Sequence, residues 1–291
     1  MKLQRDFKLS IGISDQETIV VKYPITLAFD VARSTLSSCS VGRLSIYNMK
    51  ESTRKKVFHD RFDTTTFRPV LLQAGYVGQN PLPIIFGGNI QAAYSSRRRA
   101  DWVTEIEAQD GLFAVLNSQI DQTVPQGASL RQLVTTLMGS MTGNHVSPGA
   151  IGDMERDSSR GVTLTGNSWD LLSKLIEDQG GTAFIDQGKV HAIKKTEFIE
   201  GLDGIPLISS ETGLLNAQRR YKGRVDVDMI FEPRLSVGQK VELKSVEKEN
   251  NGVYQVAGIR HSGMISGALD QGVVTSAELW DGGGALQGVR V

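Results

Sequence analysis

The stretch Arg43-Leu44-Ser45-Ile46-Tyr47-Asn48-Met49-Lys50-Glu51 begins with the pattern of a strand and ends with the pattern of a helix start. Polar and apolar side chains alternate from Arg43 to Tyr47, as they do in a strand that buries one face. Asn48 can cap a helix, and Glu51 stands three residues later, as in a capping box. The sequence therefore predicts a strand followed by a short helix over residues 52–58.

Short strands of the same kind surround this stretch over residues 7–108. Clear examples are Ile25-Thr26-Leu27-Ala28-Phe29 and Val70-Leu71-Leu72-Gln73-Ala74, and Gly, Pro and Asn separate the runs. Such runs predict an antiparallel sheet or barrel. After Pro206 the pattern returns, in residues 225–230, 239–243, 253–256 and 273–279.

The middle of the chain has helical spacing instead. Ser129 precedes apolar residues at positions 130, 133, 134, 137, 138 and 141, which predicts a capped helix of about three turns. A second helix is predicted over residues 168–178, where Gly180-Gly181 stops it. Asp186-Gln187-Gly188 predicts a tight hairpin. The polar residues 149–161 predict an exposed loop.

These patterns together predict a mainly β fold with an α+β insert. The first antiparallel β-barrel domain, with one short helix, spans residues 1–115, and the second spans residues 205–291. A small α/β domain over residues 116–204 separates them. The 40% apolar content of the 291 residues is enough to form cores of this kind.

The two β regions show a weak internal repeat. The first has Val70-Leu71-Leu72, then Phe86-Gly87-Gly88-Asn89-Ile90, then Trp102-Val103-Thr104-Glu105-Ile106-Glu107. The second has matching runs over residues 241–243, 256–259 and 273–279, about 170 residues later. If the regions are duplicated barrels, three copies of the chain present six similar units. The alternative is that any two antiparallel meanders resemble each other to this extent.

Charge and cysteine content exclude several classes of protein. The chain has 32 basic and 32 acidic side chains, so its overall charge does not favour binding to nucleic acid or membranes. The charged N-terminal residues lack the apolar run of a signal peptide, and we expect assembly in cytoplasm-like conditions. Cys39 is the only cysteine, which excludes an internal disulfide and a cysteine-rich zinc site.

Motifs for catalysis or cofactor binding are weak. The four histidines are far apart in the sequence, and no nucleophile elbow or phosphate-binding loop occurs. Cys39 is a candidate nucleophile, but a lone cysteine among serines is more typical of packing. We therefore predict a protein that is not an enzyme, with no catalytic residues, no cofactor and no metal.

Paired carboxylates are the remaining candidates for a site. Glu105 and Glu107 share one face of a predicted strand, and Asp226 and Asp228 share one face of another. A spacing of about 6 to 7 Å is near the separation that glycosidases use, although the sequence lacks flanking aromatic platforms. The alternative is a solvated strand face. If both β regions form a ring, these four acids could line a channel through which DNA slides, since like charge repels phosphate.

Arg97-Arg98-Arg99 lies between two predicted strands, which predicts a hairpin tip. A contact with nucleic acid is one interpretation, but no aromatic residues are interleaved with the arginines. A solvated loop or a contact with an acidic partner fits the pattern better.

The segment Leu44-Ser45-Ile46-Tyr47-Asn48-Met49-Lys50-Glu51-Ser52-Thr53-Arg54 resembles a signature of phage tail and baseplate proteins. Later segments occur in the order found in the baseplate hubs of contractile-tailed phages. They are Leu72-Gln73-Ala74-Gly75-Tyr76, Ile85-Phe86-Gly87-Gly88-Asn89-Ile90, Leu164-Thr165-Gly166-Asn167-Ser168-Trp169 and Leu235-Ser236-Val237-Gly238-Gln239. The resemblance covers most of the chain.

The resemblance implies a structural hub in the virion tail baseplate. Two tail-tube-like barrels per subunit would give a homotrimer with pseudo-six-fold symmetry around a DNA channel. The implied partners are the tail tube protein, the central spike protein and the baseplate wedge proteins. Alternatives are a distal tube or tube-initiator protein, a cell-envelope hydrolase and an oligonucleotide-binding barrel. The α/β insert favours the hub, because a plain tube subunit does not need it.

Overall fold

The computed structural model describes residues 4–14, 16–63, 65–154, 161–200, 206–221, 223–267, 271–284 and 286–289. Strands predominate in these residues, which confirms the predicted mainly β class. The elements of the first β region are β1 Arg5–Ser14, β2 Glu17–Lys22, β3 Leu27–Ser34, β4 Val41–Tyr47, α1 Glu51–Val57, β5 Pro69–Tyr76, β6 Ile84–Arg98 and β7 Asp101–Gln109.

The middle region contains both helices and strands. Its elements are α2 Leu112–Asn117, β8 Gln119–Val124, α3 Leu130–Met141, β9 Ser147–Ile151, β10 Val162–Asn167, α4 Ser168–Glu177, β11 Gly181–Asp186, β12 Lys189–Lys194 and β13 Glu197–Ile199. The last region is again mostly strand. Its elements are β14 Leu207–Ser209, β15 Leu214–Tyr221, β16 Arg224–Ile230, β17 Lys240–Lys244, β18 Gly252–Ile265, β19 Gln271–Trp280 and β20 Gln287–Val289.

The predicted helices of the insert form for the expected reasons. Ser129 accepts a hydrogen bond from the backbone of Gln132, and the Gln132 side chain accepts one in return, so α3 begins with a capping box. The apolar residues of α3 are all buried against α4 and neighbouring strands. The hairpin between β11 and β12 turns through Gln187 and Gly188, both with positive φ, as a type I′ turn requires.

Two local predictions were wrong. Asn48 does not cap α1, because its side chain bonds Asp101 and the backbone of Trp102, and Lys50 precedes the helix without a side-chain cap. Residues 149–151 belong to β9 and do not form an exposed loop, since this strand pairs in parallel with β12. The part of that predicted loop at residues 155–160 lies outside the described residues.

One sheet of thirteen strands contains strands from both β regions. Its main order is β15-β16-β19-β18-β3-β4-β7-β6-β5-β1-β2, with β17 beside β18 and β14 beside β17. The antiparallel pair of β18 and β3 joins the two regions, with Leu27 opposite Ile265 and Ser34 opposite Gly258. The described strands of both regions therefore form one shared sheet, and their pairings do not close either region into a separate barrel.

The strand order repeats within this sheet. The four strands β15-β16-β19-β18 are followed by β3-β4-β7-β6. In each half, a pair of consecutive strands comes first in chain order, and a second pair follows in reverse order. A bulge interrupts β6 at Gln91 and β18 at Ala257, and the next residues face Glu107 and Glu278. These shared features align β6 with β18 and β7 with β19, and they also place the runs at residues 70–72 and 241–243 on equivalent strands.

Three groups of buried side chains form the cores. The first group lies mainly under β1 and β3 to β7, the second in the insert, and the third mainly under β16 to β19. Phe184 and Ile193 of the insert belong to the third group, so the insert packs directly onto the last region. The buried face of the sheet in the last region is therefore attached to the insert.

Candidate functional site

One face of the eight strands from β15 to β6 is polar, and we call it the polar face. Residues directly opposite each other in neighbouring strands share a face of the sheet. The strand register therefore places the following side chains on this face: Asn216, Gln218, Asp226, Asp228, Ser276, Glu278, Arg260, Asp30, Arg43, Ser45, Glu105 and Glu107. At about 4.8 Å per strand, the face is about 34 Å wide.

The opposite face is apolar and buried. Its central residues are Val227, Ala277, Ile259, Val31, Leu44 and Ile106. This two-sided character explains the alternation in β4, in β16 and in β7 from Thr104 to Gln109, because a shift of one residue would exchange the two faces.

The four predicted acidic residues all lie on the polar face. Glu105 and Glu107 are on β7, and Asp226 and Asp228 are on β16, with four strands between β7 and β16 in the sheet. The two pairs are not equivalent in the repeat, however. The bulge aligns Glu107 with Glu278 on β19, whereas β16 corresponds to β4. The repeat therefore relates Glu107 to Glu278 and not to Asp226 or Asp228.

Three of the four acids form ion pairs with arginines. Arg98 lies 2.7 Å from Glu105, and Arg61 pairs with Glu107. Arg224 contacts Asp226 at 3.0 Å and also Glu278 at 2.9 Å. The polar face therefore holds paired charges and is not a purely acidic surface.

Other polar side chains on the same face are also held by hydrogen bonds or ion pairs. Asp228 accepts a 2.7 Å hydrogen bond from Ser276. Arg260 donates two hydrogen bonds to Asp30, and these raise the pKa of Arg260. A hydrogen bond between Tyr94 and Glu105 raises the pKa of that phenol. A depression of about 340 Å³ lies over Asp226, Asp228 and Arg260, so this part of the face is concave.

A buried ion pair ties the sheet to the insert. The guanidinium of Arg33, on the buried face of β3, donates hydrogen bonds of 2.8 and 2.7 Å to the two carboxylate oxygens of Asp186 on β11. Arg33 is 3% exposed. The buried Asp110, which follows β7, accepts hydrogen bonds from the backbone of Gly188. Two carboxylates thus lie near one guanidinium at the junction.

Burial raises the pKa of Asp110 to about 7, and the nearby Asp186 also raises it. The unfolded value is about 3.9, so the folded chain retains a proton that the unfolded chain has lost between about pH 4 and 7. The contribution of Asp110 to stability therefore falls as the pH rises through this window.

We expect Asp110→Asn to stabilise the protein more at pH 8 than at pH 5, because the amide resembles the protonated acid. Urea unfolding of both proteins at the two pH values measures the difference. The contributions of the histidines cancel in this comparison. An equal effect at pH 5 and pH 8 would contradict the assignment.

The single cysteine and three of the histidines, His59, His191 and His261, are buried. Burial raises the pKa of Cys39 to about 11, so this side chain is a thiol at neutral pH. Burial lowers the pKa of His191 to about 4 and that of His261 to about 3. In the described parts of the chain, no three His, Cys, Asp or Glu side chains are grouped to hold a metal ion.

The predicted arginine tip is a hairpin. Arg97 and Arg98 end β6, and Arg99 begins a two-residue turn with a φ of 57°. All three side chains are exposed. The turn is therefore at the margin of the polar face, and Arg98 is already paired with Glu105.

Sequence reasoning missed the partners of the acidic residues. The alternation of Asp226 and Asp228 with valine and methionine identified their strand face. Arg224 stands two residues before Asp226, so the same spacing could have identified this partner. Nothing local indicated that Arg61 would reach Glu107, because this contact depends on the position of a loop. The pair of Arg33 and Asp186 is separated by 153 residues and was missed for the same reason.

The family described as baseplate hub gp41 matches residues 7–262. The chain belongs to this family. The hub is thus a structural component of a phage tail baseplate, as its sequence predicted. None of the helices in the described ranges is long and apolar enough to span a bilayer.

Solved phage tail proteins share the fold of the hub at low identity. The 43 kDa tail protein of prophage MuSo2 from Shewanella oneidensis has a TM-score of 0.61 and 8% identity, over 96% of the hub and 99% of that chain. A tail protein from Neisseria meningitidis has a TM-score of 0.62 and 10% identity, over 97% and 99%.

A secretion protein has the same fold. The Escherichia coli c3393 protein, a type VI secretion component described as similar to the T4 tail proteins gp27 and gp5, has a TM-score of 0.52 and 11% identity. The match covers 88% of the hub and 74% of that chain. No curated protein sequence matches the hub significantly.

Proposed function

We propose that the chain forms a homotrimeric ring that connects the tail tube to the central spike and lines the DNA channel of a contractile tail. The observation that carries this proposal is the repeated strand order β15-β16-β19-β18 and β3-β4-β7-β6. Each chain contributes two similar four-stranded units, so three chains contribute six. A trimer of this kind fits a six-fold tube on one side and a three-fold spike on the other.

The polar face is the proposed channel wall. Glu105, Glu107, Asp226 and Asp228 then point toward the passing DNA, and the buried face holds the insert outside. Because Arg61, Arg98 and Arg224 are paired with carboxylates, they are not free to neutralise phosphate. A wall of satisfied ion pairs allows DNA to move without specific binding.

The proposed partners are another two copies of the chain, the tail tube protein, the central spike protein and the wedge proteins. The first and last regions, residues 1–115 and 205–291, form the ring, and residues 116–204 project from it. Assembly takes place in the host cytoplasm before the tail is complete. The similarity in fold to phage tail proteins and to a type VI secretion component supports this arrangement.

We expect the purified chain to have a solution mass of three times 31.7 kDa. Light scattering coupled to size exclusion, over a wide range of protein concentrations, measures this mass. A species that stays monomeric at the highest concentrations would contradict the trimer.

A further inference from the structure

The repeat predicts which strands of neighbouring subunits meet. In the last region, β17 covers β18 at residues 252–255, and β3 covers β18 at residues 258–265. In the first region, β5 covers the equivalent part of β6 at residues 84–89. The part of β6 that corresponds to residues 258–265 has no such strand beside it in the described residues.

Residues 94–98 form this unpaired part of β6, and we call them the β6 open edge. His59 exchanges two backbone hydrogen bonds with Ala93 on the same side, which ends the covered part of the strand. Beyond Ala93, β7 is the one described strand that pairs with β6. Backbone groups alternate in direction along a strand, so Ser95 and Arg97 direct theirs outward, as Ala93 does.

The matching edge is at the other end of the eight strands. In the repeat, β15 occupies the place of β3, but β15 pairs with β16 alone among the described strands. The strand carries Leu215, whose side chain is 63% exposed at a bulge. An eight-residue strand edge that bears an exposed leucine is a surface that proteins normally cover.

We infer that the β6 open edge of one subunit pairs antiparallel with β15 of the next, in the register that joins β18 to β3 within one chain. This inference rests on the proposed trimer. Such a contact is head to tail, with different surfaces on its two sides, and it closes into a ring when the rotation per subunit is 120°.

The register follows from the two alignments. The bulge aligns Ser96 with Ser262, because these residues stand five positions after Gln91 and Ala257. The β3–β4 and β15–β16 pairings align Asp30 with Gln218. Since Ser262 faces Asp30 within the chain, Ser96 faces Gln218 of the neighbouring subunit.

The side chains at this contact are compatible. Within the chain, an ion pair between Arg260 and Asp30 crosses the joint of β18 and β3. The equivalent positions between subunits are Tyr94 and Gln218, two neutral side chains that can share a hydrogen bond. The polar face therefore continues across the contact without an unpaired charge at these positions.

A disulfide tests the register. Ser96 lies between the outward-directed Ser95 and Arg97, so it is in a non-hydrogen-bonded pair, where the Cα atoms are about 4.5 Å apart. This separation suits a disulfide. We expect Ser96→Cys/Gln218→Cys, when oxidised, to migrate at three times the chain mass on a denaturing gel without reductant. The buried Cys39 can remain in place.

Two matched variants control the experiment. Asp30→Cys/Ser262→Cys places the same pair inside one chain and should oxidise without a change in mass. Ser96→Cys/Asn216→Cys shifts the register by two residues and should cross-link poorly. If the shifted pair links better than the proposed pair, the register is wrong.

Ser95→Pro provides a second test. Proline at this position removes an N–H group that points away from β7, so the hydrogen bonds between β6 and β7 are kept. We expect a folded chain that no longer forms trimers. A trimer that persists in Ser95→Pro would overturn the contact, although the proposed hub function would stand. A Ser96→Cys/Gln218→Cys trimer that does not cross-link, while the intrachain control oxidises, would do the same. Covalent chains of many sizes would support the contact and contradict the three-fold ring.

Discussion

Arg33→Ala is expected to destabilise the folded chain by about 3–5 kcal/mol, because it leaves the buried Asp186 without its counter-ion. Both carboxylate oxygens of Asp186 accept hydrogen bonds from this guanidinium, and Asp110 lies close to the same charge. Urea unfolding, with the slope and midpoint fitted together, measures the change.

Arg260→Ala is the matched control. Arg260 makes the same two-bonded contact, with Asp30 on the same strand β3, but its side chain is 62% exposed. A pair of this kind contributes about 1 kcal/mol or less, because water screens it. Comparable losses in Arg33→Ala and Arg260→Ala would contradict the role of burial.

A combined change in both partners separates charge from packing. Replacing Arg33 and Asp186 together by apolar residues should recover much of the stability lost in Arg33→Ala, since no buried charge is then left alone. A double variant as unstable as Arg33→Ala would instead show that the geometry of the pair, and not the charge, holds the junction.

The second large effect concerns the polar face and DNA. We expect Glu105→Gln/Glu107→Gln/Asp226→Asn/Glu278→Gln to bind duplex DNA, whereas the unchanged chain does not bind at the same salt concentration. The four changes free Arg61, Arg98 and Arg224 from their carboxylates. Each guanidinium that then contacts phosphate adds about 0.9 to the salt slope, so affinity should fall roughly 40-fold between 50 and 200 mM salt.

A control with the same change in net charge isolates the face. Glu17→Gln/Glu51→Gln/Glu232→Gln/Glu242→Gln removes four carboxylates that lie outside the eight strands of the polar face. They pair with Lys56, Lys55, Arg234 and Lys244. Fluorescence anisotropy with a labelled duplex compares the two variants. Equal DNA binding by both would mean that total charge, and not the polar face, controls retention.

Local patterns predicted the elements that depend on local chemistry. The alternation in β4 and β16, the capping box at Ser129 and the turn at Gln187 and Gly188 were all visible in the sequence. Each depends on side chains within a few residues, so the sequence contains the whole signal.

The missed elements depend on distant partners. β15 has two bulges and no regular alternation, because an edge strand buries little on either side. β9 contains Pro148 and Gly149, which usually interrupt strands, and its pairing with β12 compensates. The joining of β3 to β18 could not be predicted from patterns, since residues more than 220 positions apart form that pair.

The same division applies to the candidate site. Two-residue spacing placed Glu105 with Glu107 and Asp226 with Asp228, because that spacing alone defines one face of a strand. Their common face required the order of eight strands, and the pairing of Arg61 with Glu107 required the position of a loop. The sequence therefore predicted the acids but not their neutralisation.

The hydrogen-bonded joint of β3 and β18 makes each subunit a stiff plate. Its eight consecutive residue pairs leave no hinge at the midline, so the two halves cannot tilt separately. In the proposed trimer, the other three joints lie between subunits, where the β6 open edge offers only residues 94–98 for pairing. Any widening of the proposed ring would be concentrated at those three joints, which are 120° apart, and the wall within each subunit would keep its curvature.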